Sequence, residues 1–248
     1  MILVAFSSLE DQGIYSLVSN YGGLLARIIF QPLEESSRNL FARLVNSSSN
    51  GDKQGQAIGI AKAHLTEILR LYGIMSTLAF ALGPTVVPEI LDIVLGSRWM
   101  TPKVKSLFGI YCFYIPFLAF NGITEAFVAS TANSAEMRMQ AAWMAVFSTC
   151  YATMCFVFLH IGGLGAYGLV LANVVNMFVR TLWSYAFIKR FLRRQGNDLQ
   201  LTEVIPRLQT LGFFVIAISI MSATKPSTGD WVEKVKTLGA AAACCLLM

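Results

Sequence analysis

Long apolar runs separated by short polar breaks dominate the chain, and they predict a series of membrane-crossing helices. A spanning helix needs about 20 predominantly apolar residues. Six runs meet that criterion, at approximately residues 13–33, 62–82, 105–131, 139–160, 168–188 and 208–224. Apolar stretches at both termini predict partial helices there. The expected fold class is therefore all-α, a polytopic transmembrane helical bundle.

Glycines, prolines and polar clusters predict where these helices end. Residues 46–59 are polar and glycine-rich, which predicts a loop. Gly83, Pro84 and Pro88 predict the end of the second span, with a short interfacial helix over 89–95. Residues 139–179 contain no Asp, Glu, Lys or Arg over 41 positions. Because that run is too long for one span, the glycines within 162–168 predict a turn between two helices.

The charge content supports a membrane protein with no sizeable soluble domain. Only 13% of the 248 residues are charged, against about 25% in an average soluble domain. The net charge of +5 does not indicate nucleic-acid binding, because the basic residues cluster in the gaps between apolar runs. They divide between two sides, and the side with more of them contains the cluster Lys189–Arg194. We expect this cluster to be cytosolic.

The first predicted span contains a polar stripe, which is the main candidate site. At 100° per residue, Gln31, Glu34 and Arg38 lie within roughly 40° of Arg27, and Glu35 lies at the border of the stripe. One interpretation is a cavity wall that meets a polar or anionic substrate. The other is an internal salt-bridge network that holds helices together.

Three further polar groups are candidates on other spans. Asn173, Asn176 and Arg180 share one helix face, and Arg180 is expected to face the protein interior because charge is costly in hydrocarbon. Asn121 and Glu125 stand four residues apart and fit a structural role or a cavity role equally well. Glu67 and Arg70 lie near a helix end, which favours snorkelling or local pairing and leaves a binding role as the alternative.

The residues indicate neither an enzyme nor a cofactor site. The two histidines, His64 and His160, have no acidic partner at motif spacing, and nucleotide-binding and metalloprotease motifs are absent. The five cysteines lie in apolar segments without a CxxC pair, which fits small buried side chains. No catalytic residue, metal ligand or cofactor is predicted.

Three stretches carry a family resemblance. They are GIYSLVSNYGGLLARIIFQPLEESSRNLFARLV from Gly13, FLAFNGITEAFVASTA in the third span, and GGLGAYGLVLANVVNMFVR entering the fifth. The chain resembles the Rft family of endoplasmic-reticulum membrane proteins over essentially its whole length. That family is similar to the multidrug, oligosaccharidyl-lipid and polysaccharide exporter superfamily.

The resemblance implies one lobe of a two-lobed transporter, here the C-terminal lobe, with the N-terminal lobe of the same protein missing. It implies translocation of dolichol-diphosphate-linked oligosaccharide (Man5GlcNAc2) across the endoplasmic-reticulum bilayer for N-glycosylation. Arg27 and Arg180 would then meet the diphosphate, and Gln31, Asn173, Asn176 and Tyr21 the sugars. A non-transporting accessory protein of the same pathway is the alternative. A third possibility is an ion- or proton-coupled exporter using Glu125.

Overall fold

The computed structural model describes residues 8–46, 51–96 and 98–204, and every regular element in these ranges is helical. The all-α fold class is therefore confirmed. The predicted span at 208–224 and the apolar C-terminal run lie outside the described residues. The helices are α1 (Leu9–Asn46), α2 (Gly51–Leu95), α3 (Pro102–Thr131), α4 (Ser134–Phe156, followed by a π-helical turn Val157–Ile161), α5 (Gly165–Arg194) and α6 (Leu201–Val204).

Helices α1 and α3 run parallel to each other. Near the start of both helices, Lys103 pairs with Asp11 at 2.9 Å. Near their ends, the Ser130 hydroxyl donates to the backbone carbonyl of Arg38 at 3.0 Å. Helix α5 is parallel to them, because its first residue, Gly165, lies beside Asp11 near the start of α1, and Arg180 further along it bonds Glu125 of α3. Three parallel helices therefore stand side by side.

Helix α3 is the centre of the bundle and belongs to both main apolar clusters. One cluster includes Leu65 and Tyr72 of α2 with Ile123 and Phe127 of α3. The other lies toward the opposite end and is built around Leu107 and residues of α1 and α5. Because α3 is covered on several sides, its polar residues meet protein rather than lipid.

Four of the described helices are long and apolar enough to cross a membrane, namely Gln54–Leu95, Pro102–Thr131, Ser134–Ile161 and Gly165–Arg194. Their length and composition define a multi-pass membrane protein. Helix α1, with 38 residues, has the length but not the composition. Polar side chains interrupt its apolar surface, and the cavity described below accounts for them.

Helix α2 is longer than the sequence predicts, with 45 residues from Gly51 to Leu95. The loop predicted over 46–59 is therefore wrong from Gly51 onward. The break predicted at Gly83–Pro88 and the separate helix over 89–95 are also wrong. Proline is tolerated inside spanning helices when neighbouring helices support the backbone. Here α3 supplies that support, because Pro84 packs over Gly109 and Gly83 packs over Cys112.

The predicted glycine turn at 162–168 lies between α4 and α5. Gly163 and Gly165 adopt φ values of +60° and +54°, which L side chains rarely adopt. Gly168 lies against the backbone of Phe158, and a Cβ there would come within 3.1 Å of its carbonyl. These glycines let the chain reverse and bring the two helices into close contact.

The basic residues in the described part of the chain divide between the two ends of the bundle, as the sequence predicts. The Lys189–Arg194 cluster lies at the end where α5 stops and α4 begins, and there Arg194 bonds Glu136 at 2.9 Å. Beyond α5, the Arg193 guanidinium donates to Asp198 at 3.2 Å, and this bond holds the pKa of Asp198 below its usual range. Which end is cytosolic stays a prediction.

The contact between α2 and α3 predicts a position-specific effect of adding one methyl group. Gly83→Ala should destabilise the protein by about 1–3 kcal/mol, because the new Cβ would lie 2.8 Å from the Cys112 Cβ. Gly59→Ala, on the same helix with nothing within 4 Å, should leave stability unchanged or raise it. Thermal unfolding in detergent compares the two variants. Equal melting temperatures would contradict the close packing at Gly83.

Candidate functional site: a charged cavity along the first helix

A cavity of about 680 Å³ lies between α1, α3 and α5. Its α1 wall runs from Ser19 to Arg38, which is roughly 28 Å of helix at 1.5 Å per residue. The hydrocarbon core of a bilayer is about 30 Å thick. The polar wall of the cavity is therefore nearly as long as the membrane is thick.

The cavity brings together most of the side chains that the sequence singles out. These are Arg27, Gln31, Glu34, Glu35 and Arg38 on α1, Asn121 and Glu125 on α3, and Arg180 on α5. Arg27 and Arg180 thus line the same space, although 153 positions separate them in the chain. The parallel packing of the three helices places these distant residues around one cavity.

Arg180 of α5 and Glu125 of α3 form the strongest polar contact in the cavity lining. The Arg180 Nη2 atom lies 2.7 Å from Glu125 Oε1 and 2.9 Å from Oε2, and its Nε lies 2.9 Å from Oε1. The two side chains are only 23% and 22% exposed. A bidentate pair of this kind is strong and directional. It neutralises Arg180 and ties α5 to α3.

The other two carboxylates that line the cavity, those of Glu34 and Glu35, lie along α1. The Glu34 carboxylate lies directly over Gly122 of α3, where any Cβ would collide with it. Gln31 donates to Glu35 at 2.8 Å. Beside them, Asn121 is only 5% exposed, and its Oδ1 has no hydrogen-bond partner in the part of the chain that the structure describes. The wall therefore offers hydrogen-bond acceptors as well as charge.

Arg27 and Arg38 differ from Arg180, because neither forms an ion pair within 4 Å among the described residues. Both side chains are exposed on the cavity side of α1. A guanidinium group that has no carboxylate partner keeps its donors available for an anion. The cavity therefore contains one neutralised arginine and two that can receive a ligand.

Five residues that the sequence makes candidates for substrate contact do not line the cavity. Asn173 donates to the Tyr15 hydroxyl at 3.1 Å and to the Leu169 carbonyl at 3.0 Å. Arg70 donates to the Glu203 carbonyl, which ties the α2 surface to α6. Helical periodicity gives the direction of a side chain but not the neighbour it meets. The geometry does not support a cavity role for Asn173, Asn176, Tyr21, Glu67 and Arg70.

The cavity also has an aromatic side that the sequence reasoning missed. Tyr111 and Tyr114 line it from α3, with ring centroids 5.2 Å apart. A periodic signal was present, because Tyr111, Tyr114 and Leu118 continue at helical spacing into Asn121 and Glu125. In an apolar helix, aromatic residues at this spacing cannot be distinguished from ordinary core residues by sequence alone.

These helices and their cavity define a multi-pass α-helical membrane protein with charged groups lining a cavity between its helices. The chain belongs to the Rft family, whose sequence model, described as Rft protein, matches residues 1–248. The resemblance found in the three sequence stretches is thereby confirmed. No solved structure shows a significant match to the chain.

Similar curated proteins come from fungi and from an animal, and each is named "Man(5)GlcNAc(2)-PP-dolichol translocation protein RFT1". The protein from Yarrowia lipolytica is 37% identical over 229 residues, covering 88% of this chain and 32% of that protein. The one from Saccharomyces cerevisiae is 36% identical over 198 residues, covering 80% and 34%. The one from Mus musculus is 30% identical over 220 residues, covering 87% and 39%. The chain thus spans about a third of the length of these relatives. Their shared name describes translocation and not an enzymatic activity.

The Arg180–Glu125 pair predicts a measurable coupling between α3 and α5. Glu125→Gln and Arg180→Gln should each destabilise the protein, because each leaves a poorly solvated charge without its partner. The double variant should be more stable than the sum of the two losses predicts, with a coupling energy of about 0.5–3 kcal/mol. Thermal unfolding of all four proteins in one detergent completes the cycle. Strict additivity would mean that the pair contributes no interaction of its own.

Proposed function

We propose that this chain forms one lobe of a carrier that moves a diphosphate-linked oligosaccharide lipid across the endoplasmic-reticulum membrane. The carried lipid is the Man5GlcNAc2 diphosphate dolichol in the names of its relatives. One observation supports this most directly. Arg27 and Arg38, which form no ion pair with any residue that the structure describes, line a cavity whose polar wall is nearly as long as the bilayer is thick.

The chemistry of the cavity suits the parts of such a lipid head. Guanidinium groups bind phosphate oxygens through paired, charge-assisted hydrogen bonds. Arg27 and Arg38 would therefore bind the diphosphate, and Gln31 and Asn121 would bond sugar hydroxyls. Tyr111 and Tyr114 supply flat apolar surfaces for the faces of the sugar rings.

The carboxylates give the proposed carrier a way to release its ligand. The side chains that line the cavity include three arginines and three glutamates, so their formal charges cancel. An anion that enters is attracted by nearby arginines and repelled by Glu34 and Glu35. Binding is then strong enough for entry without becoming too strong for exit, which transport requires.

Movement of the ligand needs no covalent step in this proposal, so the chain would act as neither an enzyme nor a cofactor protein. Rocking of this lobe against a second lobe would expose the cavity to one side and then the other. The Lys189–Arg194 cluster would lie on the cytosolic side. The alternative in which Glu125 carries a coupling proton is weakened, because Arg180 already occupies both of its carboxylate oxygens.

The transport proposal predicts a specific loss of activity when Arg27 is neutralised. In the full-length protein, Arg27→Gln should reduce transfer of the labelled oligosaccharide lipid by about 10- to 150-fold. That range corresponds to losing one charged hydrogen-bonding group worth about 1.5–3 kcal/mol. The assay uses purified protein in sealed vesicles, with the lipid measured on each leaflet.

Arg43→Gln is the matched control, because Arg43 is exposed on the same helix but does not line the cavity. It should transfer the lipid at the wild-type rate. If the full-length wild-type protein transfers nothing yet binds enzymes of the pathway, the chain belongs to an accessory protein instead. If Arg27→Gln and wild type transfer equally, the cavity is not the route.

A further inference from the structure

A second, smaller recess lies beside the charged cavity. It has a volume of about 110 Å³, the space of three to four water molecules at liquid density. Its walls are apolar or aromatic, with no charged side chain among its lining residues, which include Tyr21, Gly22, Val87, Ile90, Cys112 and Ile115. We refer to it as the apolar cleft.

Tyr111 separates the apolar cleft from the charged cavity and lines both. Its ring packs against Gly22, so that a Cβ at this position would come within 2.5 Å of Cε1. The next residue, Gly23, lines the charged cavity. Two adjacent glycines of α1 therefore face two different spaces, with one tyrosine ring between them.

The apolar cleft opens on the outer surface of the bundle. Two of its lining side chains, Tyr21 and Ile90, are 39% and 44% exposed. Helices α1 and α2 touch through the Phe30–Tyr72 and Phe41–His64 ring contacts, toward the other end of the bundle. At the level of Gly22, residues of α3 form the floor between them. We take this opening to face the hydrocarbon of the bilayer, because its lining is apolar.

We propose that the apolar cleft receives the first isoprenoid units of the carried lipid, next to its diphosphate. This inference rests on the proposed function, because it takes the head of the same lipid to be in the cavity. Arg27 follows Gly22 by five residues, which is about 7.5 Å along the helix axis. A diphosphate bound at Arg27 would therefore begin its chain close to Tyr111.

The two spaces match the two halves of one amphipathic molecule. A charged head requires donors and water, whereas an isoprenoid chain gains from each methylene group that it buries. The shared Tyr111 wall lets one ligand contact both without passing its charge through hydrocarbon. Tyr111 would contact the lipid at the junction, with its hydroxyl toward the head and its ring toward the chain.

The test separates head binding from chain binding in the full-length protein. Val87→Trp should fill the apolar cleft, whereas Ile93→Trp places the same ring on a 46%-exposed position of the same helix that does not line the cleft. Two probes are compared in detergent, the dolichyl diphosphate oligosaccharide and the same oligosaccharyl diphosphate with a methyl ester in place of the chain. Val87→Trp should weaken binding of the dolichyl probe about tenfold, the effect of roughly two buried methylene groups. The methyl probe should bind all three proteins equally.

A photoreactive label on the first isoprenoid unit gives a second measurement that needs no variant. It should crosslink to the α3 segment 108–115 in wild-type protein, and the methyl probe in excess should reduce the yield. Labelling of the same segment by a photoreactive diacyl phospholipid with equal yield would overturn the inference, since the cleft would then be an ordinary lipid contact.

The binding results distinguish the two proposals. If wild type binds both probes but Val87→Trp binds the dolichyl probe like Ile93→Trp, the cleft assignment alone fails. An equal loss of both probes in Val87→Trp also overturns it. If wild type binds neither probe, the proposed function fails, and the cleft assignment fails with it.

Discussion

The cost of placing charge in hydrocarbon determines how this bundle is arranged. A charged side chain at the centre of a spanning helix costs at least about 2.5 kcal/mol unless it meets protein or water. Arg27, Glu34 and Arg38 follow one another along α1 within three turns. That face of α1 is costly to place against lipid, and it lines the cavity between α1, α3 and α5. The cavity is therefore the space that these charges require.

The enclosure depends on a few positions where helices approach closely. Gly122 leaves room for the Glu34 carboxylate, and Gly22 leaves room for the Tyr111 ring. On the other side of α3, Gly109 accommodates Pro84 of α2. The polar wall and the apolar packing thus use the same device, in which a missing side chain on one helix admits a large group from its neighbour. Helix α3 takes part in all three contacts, which explains why it is central.

The sequence predicts the class of fold and the polar stripe because both depend on local periodicity. Spans follow from runs of apolar residues, and the α1 stripe follows from the 100° rotation per residue. The same reasoning failed at Pro84 and Pro88, where a local helix-breaking signal was overruled by packing against α3. It also made Asn173 a cavity candidate and Arg70 a secondary one, because it could not show that they contact Tyr15 and Glu203. Neighbours across the bundle are a tertiary property that no single helix encodes.

The arginines that line the cavity differ in their contacts, and this difference supports the proposed binding site. Arg180 is held on α3 by a bidentate carboxylate, so it contributes to the wall. Arg27 has no such partner among the described residues. It follows Gly22, which packs against the Tyr111 ring, by five residues on α1. Had all three arginines been paired, the same residues would make only an internal salt-bridge network. Arg27 lines the charged cavity, and Tyr111 lines both that cavity and the apolar cleft. An amphipathic anion is the kind of ligand that uses both.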